Sequence, residues 1–159
     1  MPEAKRTGGC QCGAVRYELT GEPLPLVICH CHECQKQTAS AFGMSLPVAR
    51  TDLRIVSGEL KEWRRLAESG REVACWFCPD CGSRIYHSSL LGPEYWHLKA
   101  GTLDDTSGLD PVAEVWTQSA QPWLDFSDQL LSFAREPDDD HAITARWQSR
   151  RARARHTGE

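Results

Sequence analysis

Residues 29–34 read Cys29-His30-Cys31-His32-Glu33-Cys34, and the meaning of this stretch decides how the rest of the chain is understood. Upstream stands Cys10-Gln11-Cys12, and downstream Cys78-Pro79-Asp80-Cys81-Gly82. Seven of the eight cysteines thus fall into three compact groups. On an extended strand residues i and i+2 face the same way, so Cys10 with Cys12, and Cys29 with Cys31, can aim two sulfurs at one point. A C-x-x-C pair closes around a turn instead, and Pro79, Asp80 and Gly82 are the residue types such a turn wants. These spacings suit tetrahedral zinc held by thiolates.

Counting ligands sharpens the reading. Cys10, Cys12, Cys78 and Cys81 make four, a closed shell of the structural kind. An ion held this way contributes on the order of 10 kcal/mol or more to folding. Cys29, Cys31 and Cys34 supply three, which leaves a fourth position for water or substrate, as in catalytic sites. Spacing alone also permits other pairings between the groups. Cys75 falls in Glu72–Phe77, which reads as a strand with Val73, Cys75 and Phe77 on one face and Trp76 and Cys78 toward the other, so it is expected as a buried apolar thiol. His30 and His32 interleave with Cys29 and Cys31 and point away from the metal if the segment is a strand; His32 fills the open position only if the strand bends. His87 and His97 lie in β-like segments and are read as structural. A redox role for the C-x-x-C pairs is disfavoured, because no thioredoxin-like βαβ pattern surrounds them.

The first 136 residues read as short strands between turn signals. Ala14–Thr20 alternates, with Val15, Tyr17 and Leu19 facing one way and Arg16, Glu18 and Thr20 the other. Leu26–His32 is a second extended segment, and further strands are expected near Leu53–Val56, Glu72–Phe77, Arg84–His87, Tyr95–Lys99 and Ala113–Thr117. Gly58, Gly70, Gly82, Gly92-Pro93, Gly101 and Gly108 punctuate them as in an all-β domain. Helix is expected only as one or two turns over Cys34–Ala41 and a short piece over Ser127–Ala134 that stops before Pro137. Residues 137–159 form a separate charged tail: Asp138–Asp140 would cap a helix, with arginines toward its end and Ile143 and Trp147 on one face. It is expected as a frayed appendage, helical or disordered.

A chain of 159 residues points to one domain, able to bury roughly 68–70% of its unfolded surface, so metal is not needed merely for it to fold. No uncharged apolar run approaches the ~20 residues of a membrane span, and MPEAKRTGGCQCG has no apolar stretch of the signal-peptide kind. A cytoplasmic address follows, where glutathione keeps thiols reduced and favours metal binding or catalysis over bridges. The net charge is −4; the tail holds four acids against five arginines, leaving −5 on the body, which disfavours nucleic acid as a partner.

Three stretches carry a resemblance: Gly9-Cys10-Gln11-Cys12-Gly13-Ala14-Val15-Arg16-Tyr17, Cys29-His30-Cys31-His32-Glu33-Cys34-Gln35, and Phe77-Cys78-Pro79-Asp80-Cys81-Gly82-Ser83. Lys99-Ala100-Gly101-Thr102-Leu103-Asp104-Asp105, Val115-Trp116 and Pro122-Trp123 add to it. Over residues 7–136 the chain resembles the family of glutathione-dependent formaldehyde-activating enzymes, which includes centromere protein V-like members. The resemblance implies a mainly β, β-tent (Mss4-like) domain of small antiparallel sheets held by zinc, with short helices, over residues 1–136. It also implies two zinc ions, one structural on Cys10, Cys12, Cys78 and Cys81 and one at the active centre on Cys29, Cys31 and Cys34. The implied activity is that of a carbon–sulfur lyase forming or cleaving S-hydroxymethylglutathione from glutathione and formaldehyde, or acting on a related thiol adduct.

Three features depart from the family pattern. Ala39 stands where a glycine is usual, Glu114 where a histidine is common, and the arginine-rich tail has no counterpart; the first two are expected to bear on substrate choice. Lys36, Arg50 and Arg84 lie near the motifs and are the cations considered for glutathione's carboxylates, against a plain reading as solvated surface charge. The competing function is a non-catalytic zinc module that binds protein or nucleic acid, with the tail as the feature in its favour.

Overall fold

A computed structural model of the chain describes residues 5–67, 70–88, 91–126 and 128–157. In chain order the elements are β1 (Arg6–Gly9), β2 (Arg16–Leu19), β3 (Val27–Cys29), α1 (His32–Thr38), β4 (Gly43–Ala49), β5 (Leu53–Ser57), β6 (Lys61–Leu66), β7 (Glu72–Phe77), β8 (Arg84–Ser88), β9 (Tyr95–Lys99), β10 (Ala113–Val115), β11 (Leu131–Ser132) and α2 (His141–Thr157). The fold is mainly β, as expected. The chain divides into two compact units, residues 1–24 with 44–109, and residues 25–43 with 110–159.

The first unit holds an antiparallel sheet in the order β1-β2-β5. The alternation of β2 sets its inner face: Val15, Tyr17 and Leu19 are each 1% exposed. Gly8 lies opposite Tyr17, where a Cβ would come within 2.3 Å of the tyrosine Oη and 2.4 Å of the Thr102 carbonyl, so only glycine fits. The strands β4-β9-β8-β7-β6 run side by side, each antiparallel to the next. Leu46, Val48, Cys75, Ile85 and Leu98 bury their side chains there.

Strands β1, β4 and β6 have no clear sequence signal. β1 ends in two glycines that carry no pattern, β4 contains Pro47, which argues against a strand, and β6 is charged and largely exposed, as edge strands often are. Glu72–Phe77 and Tyr95–Lys99 form the strands expected of them.

In the second unit β10 lies between β3 and β11, and both pairings are parallel. The antiparallel expectation fails here because these strands are two or three residues long and are joined through long connections rather than hairpins. The helix expected over Ser127–Ala134 is absent among the described residues 128–134, and Ser127 itself lies outside them. The chain takes an edge position instead: Leu131 N–H donates to the Val112 carbonyl at 3.1 Å and Phe133 N–H to the Glu114 carbonyl at 3.0 Å. A short apolar run reads equally as strand or helix, and an available sheet edge settled it.

The tail is not frayed over its described part. It forms α2, opened by Asp139, whose carboxylate accepts the His141 N–H at 3.0 Å. Ile143 is 6% exposed and packs with Val112 and Ala113, joined by Leu131, Phe133 and Trp147. Arg150 donates to the Asp110 carboxylate at 2.7 Å and to the Pro111 carbonyl at 2.8 Å. Apolar burial at Ile143 and Trp147 and these arginine bonds tie the helix down, which a charge count could not reveal.

Candidate metal centres

Two groups of sulfurs converge. Cys10, Cys12, Cys78 and Cys81 bring their sulfurs within 4.8 Å of one another in the first unit, and Cys29, Cys31 and Cys34 do the same in the second. Of the pairings that spacing left open, this division is the one the fold makes. None of the eight cysteines is in a disulfide, and Cys75, 0% exposed, belongs to neither group.

Tight turns build the four-sulfur group. Cys10 and Cys12 were expected on a strand; they occupy instead the turn between β1 and β2, where Gly13 N–H donates to the Cys10 carbonyl at 3.1 Å and Cys10 N–H to the Val15 carbonyl at 3.0 Å. Cys78 and Cys81 occupy the turn between β7 and β8, closed by Gly82 N–H on the Cys78 carbonyl at 2.9 Å, with Gly82 at φ 76°. Ser83 joins the turns by accepting the Gln11 N–H on its hydroxyl at 3.0 Å.

The sulfurs lie 3.5 Å apart between Cys10 and Cys12 and 3.8 Å apart between Cys12 and Cys78. Sulfurs at the usual zinc–sulfur length of about 2.3 Å stand about 3.8 Å apart on a tetrahedron, so the group fits zinc. The Ser83 hydroxyl, with the N–H groups of Ser83 and Cys12, pulls the Cys81 thiol down to about 5. Burial pushes Cys10 up, but the Val15 N–H and the thiols of Cys12 and Cys78 outweigh it and leave Cys10 lowered.

A strand end and a helix start build the three-sulfur group. Cys29 closes β3, Cys31 is the residue capping α1, and Cys34 lies buried in the first turn of that helix. The Cys34 N–H donates to the Cys31 sulfur at 3.4 Å, and the Gln37 amide donates to the Cys34 sulfur at 3.4 Å. The thiols of Cys29 and Cys34 donate toward Cys31 and, with the N–H groups of Cys34 and Glu33, pull it down to about 2. Cys29 is pushed strongly upward by the neighbouring thiols of Cys31 and Cys34 and by burial. Three convergent thiols are a donor set that fits a soft divalent ion. Among the described residues no fourth histidine, cysteine or carboxylate joins the three sulfurs. Cys29 and Cys31 are partly exposed, and Cys34 is buried.

The histidines separate. His32 begins α1 rather than ending a strand; it lies outside the cluster. His30 is 0% exposed and turns its Nε2 onto the Glu114 carboxylate at 2.8 Å. His87 and His97 face each other across β8 and β9 with ring centroids 5.2 Å apart, and burial lowers both, His97 to about 4. The cations divide as well. Arg50 stacks its guanidinium 3.5 Å from the centre of the Trp96 ring and donates to the Pro93 carbonyl, and Arg84 lies 5.9 Å from the Trp63 ring. Lys36, on α1, shares a unit with the three sulfurs.

Sequence reasoning gave Gln35 no role. Its amide donates to the His30 carbonyl at 2.6 Å and to the Ser119 carbonyl at 2.9 Å. Glu114 stood out only as a family departure; a carboxylate among Val112, Ala113 and Val115 was the available sign that it is buried and paired. Ala39 takes a left-handed conformation, φ 49° and ψ 39°, at the end of α1, which explains by backbone alone why glycine is usual there.

A mainly β chain with one four-sulfur and one three-sulfur cluster falls in the class of small β proteins equipped to hold metal on thiolates. The family model described as glutathione-dependent formaldehyde-activating enzyme matches residues 5–119, and the chain belongs to that family. A Halomonas elongata protein, named provisionally as a glutathione-dependent formaldehyde-activating enzyme, is 27% identical over 154 residues, covering 90% of this chain and 94% of its own. A crystal structure of a Rhodobacter sphaeroides protein shares the fold with a TM-score of 0.50 at 20% identity, covering 80% of this chain and 98% of that one. No helix among the described residues is long and apolar enough to cross a membrane.

Proposed function

We propose that this protein is a zinc-dependent carbon–sulfur lyase of the cytoplasm that forms or cleaves S-hydroxymethylglutathione, or a closely related thiol adduct. The observation that carries the reading is the three-sulfur cluster with no fourth donor among the described residues, in a chain whose other cluster has all four. Cys10, Cys12, Cys78 and Cys81 hold the structural ion; Cys29, Cys31 and Cys34 hold the one at the active centre. Zinc held by these three sulfurs would supply Lewis acidity that lowers the pKa of a bound thiol.

In the forward direction the glutathione sulfur attacks the formaldehyde carbon. A C–S bond forms, the π pair of the carbonyl moves to oxygen, and that oxygen takes up a proton equivalent to the one the thiol lost. The reverse breaks the same bond, and neither direction needs an oxidant or reductant. The residues of this chain provide a negatively charged sulfur set around the ion and, through Lys36 on α1, a cation for a substrate carboxylate.

Metal analysis with thiol titration tests the reading. The loaded protein is expected to carry two zinc ions and to accelerate adduct formation from glutathione and formaldehyde. Cys31→Ser is expected to carry one, to keep its circular dichroism and to lose the acceleration. A fully loaded protein that binds neither glutathione nor any other small thiol, and leaves the uncatalysed rate unchanged, overturns it.

A further inference from the structure

His30 lies between two of the three clustered cysteines, yet its side chain has no part in the cluster. It is 0% exposed, with Nε2 2.8 Å from Glu114 Oε2. The second oxygen of Glu114 accepts the Ser132 hydroxyl at 2.6 Å, so both carboxylate oxygens are engaged. The His30 backbone is held equally firmly: its N–H donates to the Val115 carbonyl at 3.0 Å, and its carbonyl accepts the Gln35 amide at 2.6 Å. Phe42 packs edge-on to the ring with centroids 5.9 Å apart. The peptides on either side of His30, which carry Cys29 and Cys31, are therefore fixed at three points.

A carboxylate at this place is not what packing asks for. Glu114 is 7% exposed and its strand neighbours Ala113 and Val115 are buried, surroundings that an apolar side chain would match. Taking a carboxylate out of water costs several kcal/mol and is offset only where strong partners await it. Here those partners are the imidazole at the centre of the Cys-x-Cys segment and the Ser132 hydroxyl. Groups one step removed from the ligands commonly set ligand orientation, and their loss typically weakens metal binding 10–100-fold.

We infer that Glu114 and His30 form a positioning pair that fixes the Cys29–Cys31 segment and thereby the sulfur spacing of the three-thiolate centre. The inference rests on the reading that these three sulfurs hold a metal ion. It gives Glu114 a role in the metal centre rather than in substrate choice.

The test uses the two-metal protein and compares Glu114→Leu with Glu114→Gln. Release of metal to a chromogenic chelator is followed, together with the thiolate-to-metal charge-transfer band after cobalt substitution. Glu114→Leu is expected to release one metal equivalent at least tenfold faster, to leave the other unchanged, and to shift the cobalt band. Glu114→Gln keeps an oxygen for His30 and is expected to restore most of the wild-type behaviour. Should the leucine variant not fold, Ser132→Ala removes a single bond to Glu114 and is expected to speed release of the same equivalent two- to fivefold. Unchanged release and an unchanged band in a folded Glu114→Leu protein, or in Ser132→Ala where that variant stands in, overturn the inference. A wild-type protein that loads only the four-sulfur group refutes the parent reading instead, and the inference falls with it.

Discussion

The two sulfur clusters use one ligand chemistry and two different scaffolds. Turns hold the first: Cys10, Cys12, Cys78 and Cys81 hang on two hairpin connections whose closure depends on Gly13 and Gly82 and on the shared Ser83. A strand end, a seven-residue helix and a buried polar pair hold the second. A turn is defined locally and four sulfurs would close the shell of an ion, so that cluster is suited to joining distant parts of the chain. The strand–helix junction presents three sulfurs, with Cys29 and Cys31 partly exposed, and the buried Glu114–His30 pair lies beside it. Ligand count separates a closed site from an open one, and the scaffold around the ligands follows from that difference.

The comparison breaks most sharply on the cysteines themselves. Cys12→Ser is expected to cost most of the ~10 kcal/mol or more that a closed thiolate site contributes, seen as loss of cooperative thermal unfolding. Cys31→Ser should lose a metal equivalent and keep the melt. If the two substitutions damage folding equally, the division into a structural and an open centre is wrong.

A smaller effect is expected in the sheet that leads into the first cluster. Gly8→Ala would put a methyl within 2.3 Å of the Tyr17 hydroxyl and 2.4 Å of the Thr102 backbone. Overpacking of this kind typically costs about 1–3 kcal/mol, which denaturant titration reads directly. Metal content of the three-sulfur cluster in the second unit should not change.

Acid provides a lever on the first unit that needs no metal ligand. Neither ring nitrogen of His97 has a hydrogen-bond partner among the described residues, and burial, followed by the charge of Lys99, lowers its pKa to about 4. The unfolded chain takes up the proton first, so stability is full above the ordinary histidine pKa of about 6.5. It falls between there and about 4. At pH 5 this amounts to about 2 kcal/mol. His97→Phe should flatten that part of the difference curve against wild type; an unchanged slope would show that His97 titrates normally.

The smallest expected effect lies at the end of α1, the helix that carries Cys34 of the second cluster. Ala39 holds φ 49°, where glycine has no steric penalty, so Ala39→Gly is expected to add about 1 kcal/mol of stability in chemical denaturation. No change in thiol preference should accompany it; a change would return this position to substrate choice.

Much of this was legible in the sequence for identifiable reasons. The alternation of Val15, Tyr17 and Leu19 marks β2 because a period of two fits a strand with one buried face and does not fit a helix. The Pro79-Asp80-Cys81-Gly82 turn is encoded by residues that accept no other local conformation as readily. Leu131–Ser132 was illegible as a strand because two residues carry no period and the edge that received them lies elsewhere in the sequence. The docked tail was hidden for the same kind of reason: its anchors are the Asp110 side chain and the Pro111 carbonyl, far from Arg150 along the chain.

By itself the order of amino acids determined that seven cysteines fall into three groups at metal-ligand spacing, and that a mainly β chain carries them, since each of these follows from residue chemistry and short-range spacing. Only the tertiary structure decided which groups of sulfurs converge, that Cys10 and Cys12 ride on a turn rather than a strand, and that Glu114 reaches His30 across 84 positions. Convergence in space depends on where whole strands and turns come to rest. That is settled by burial and hydrogen bonding summed over many contacts, a quantity no short stretch of sequence contains.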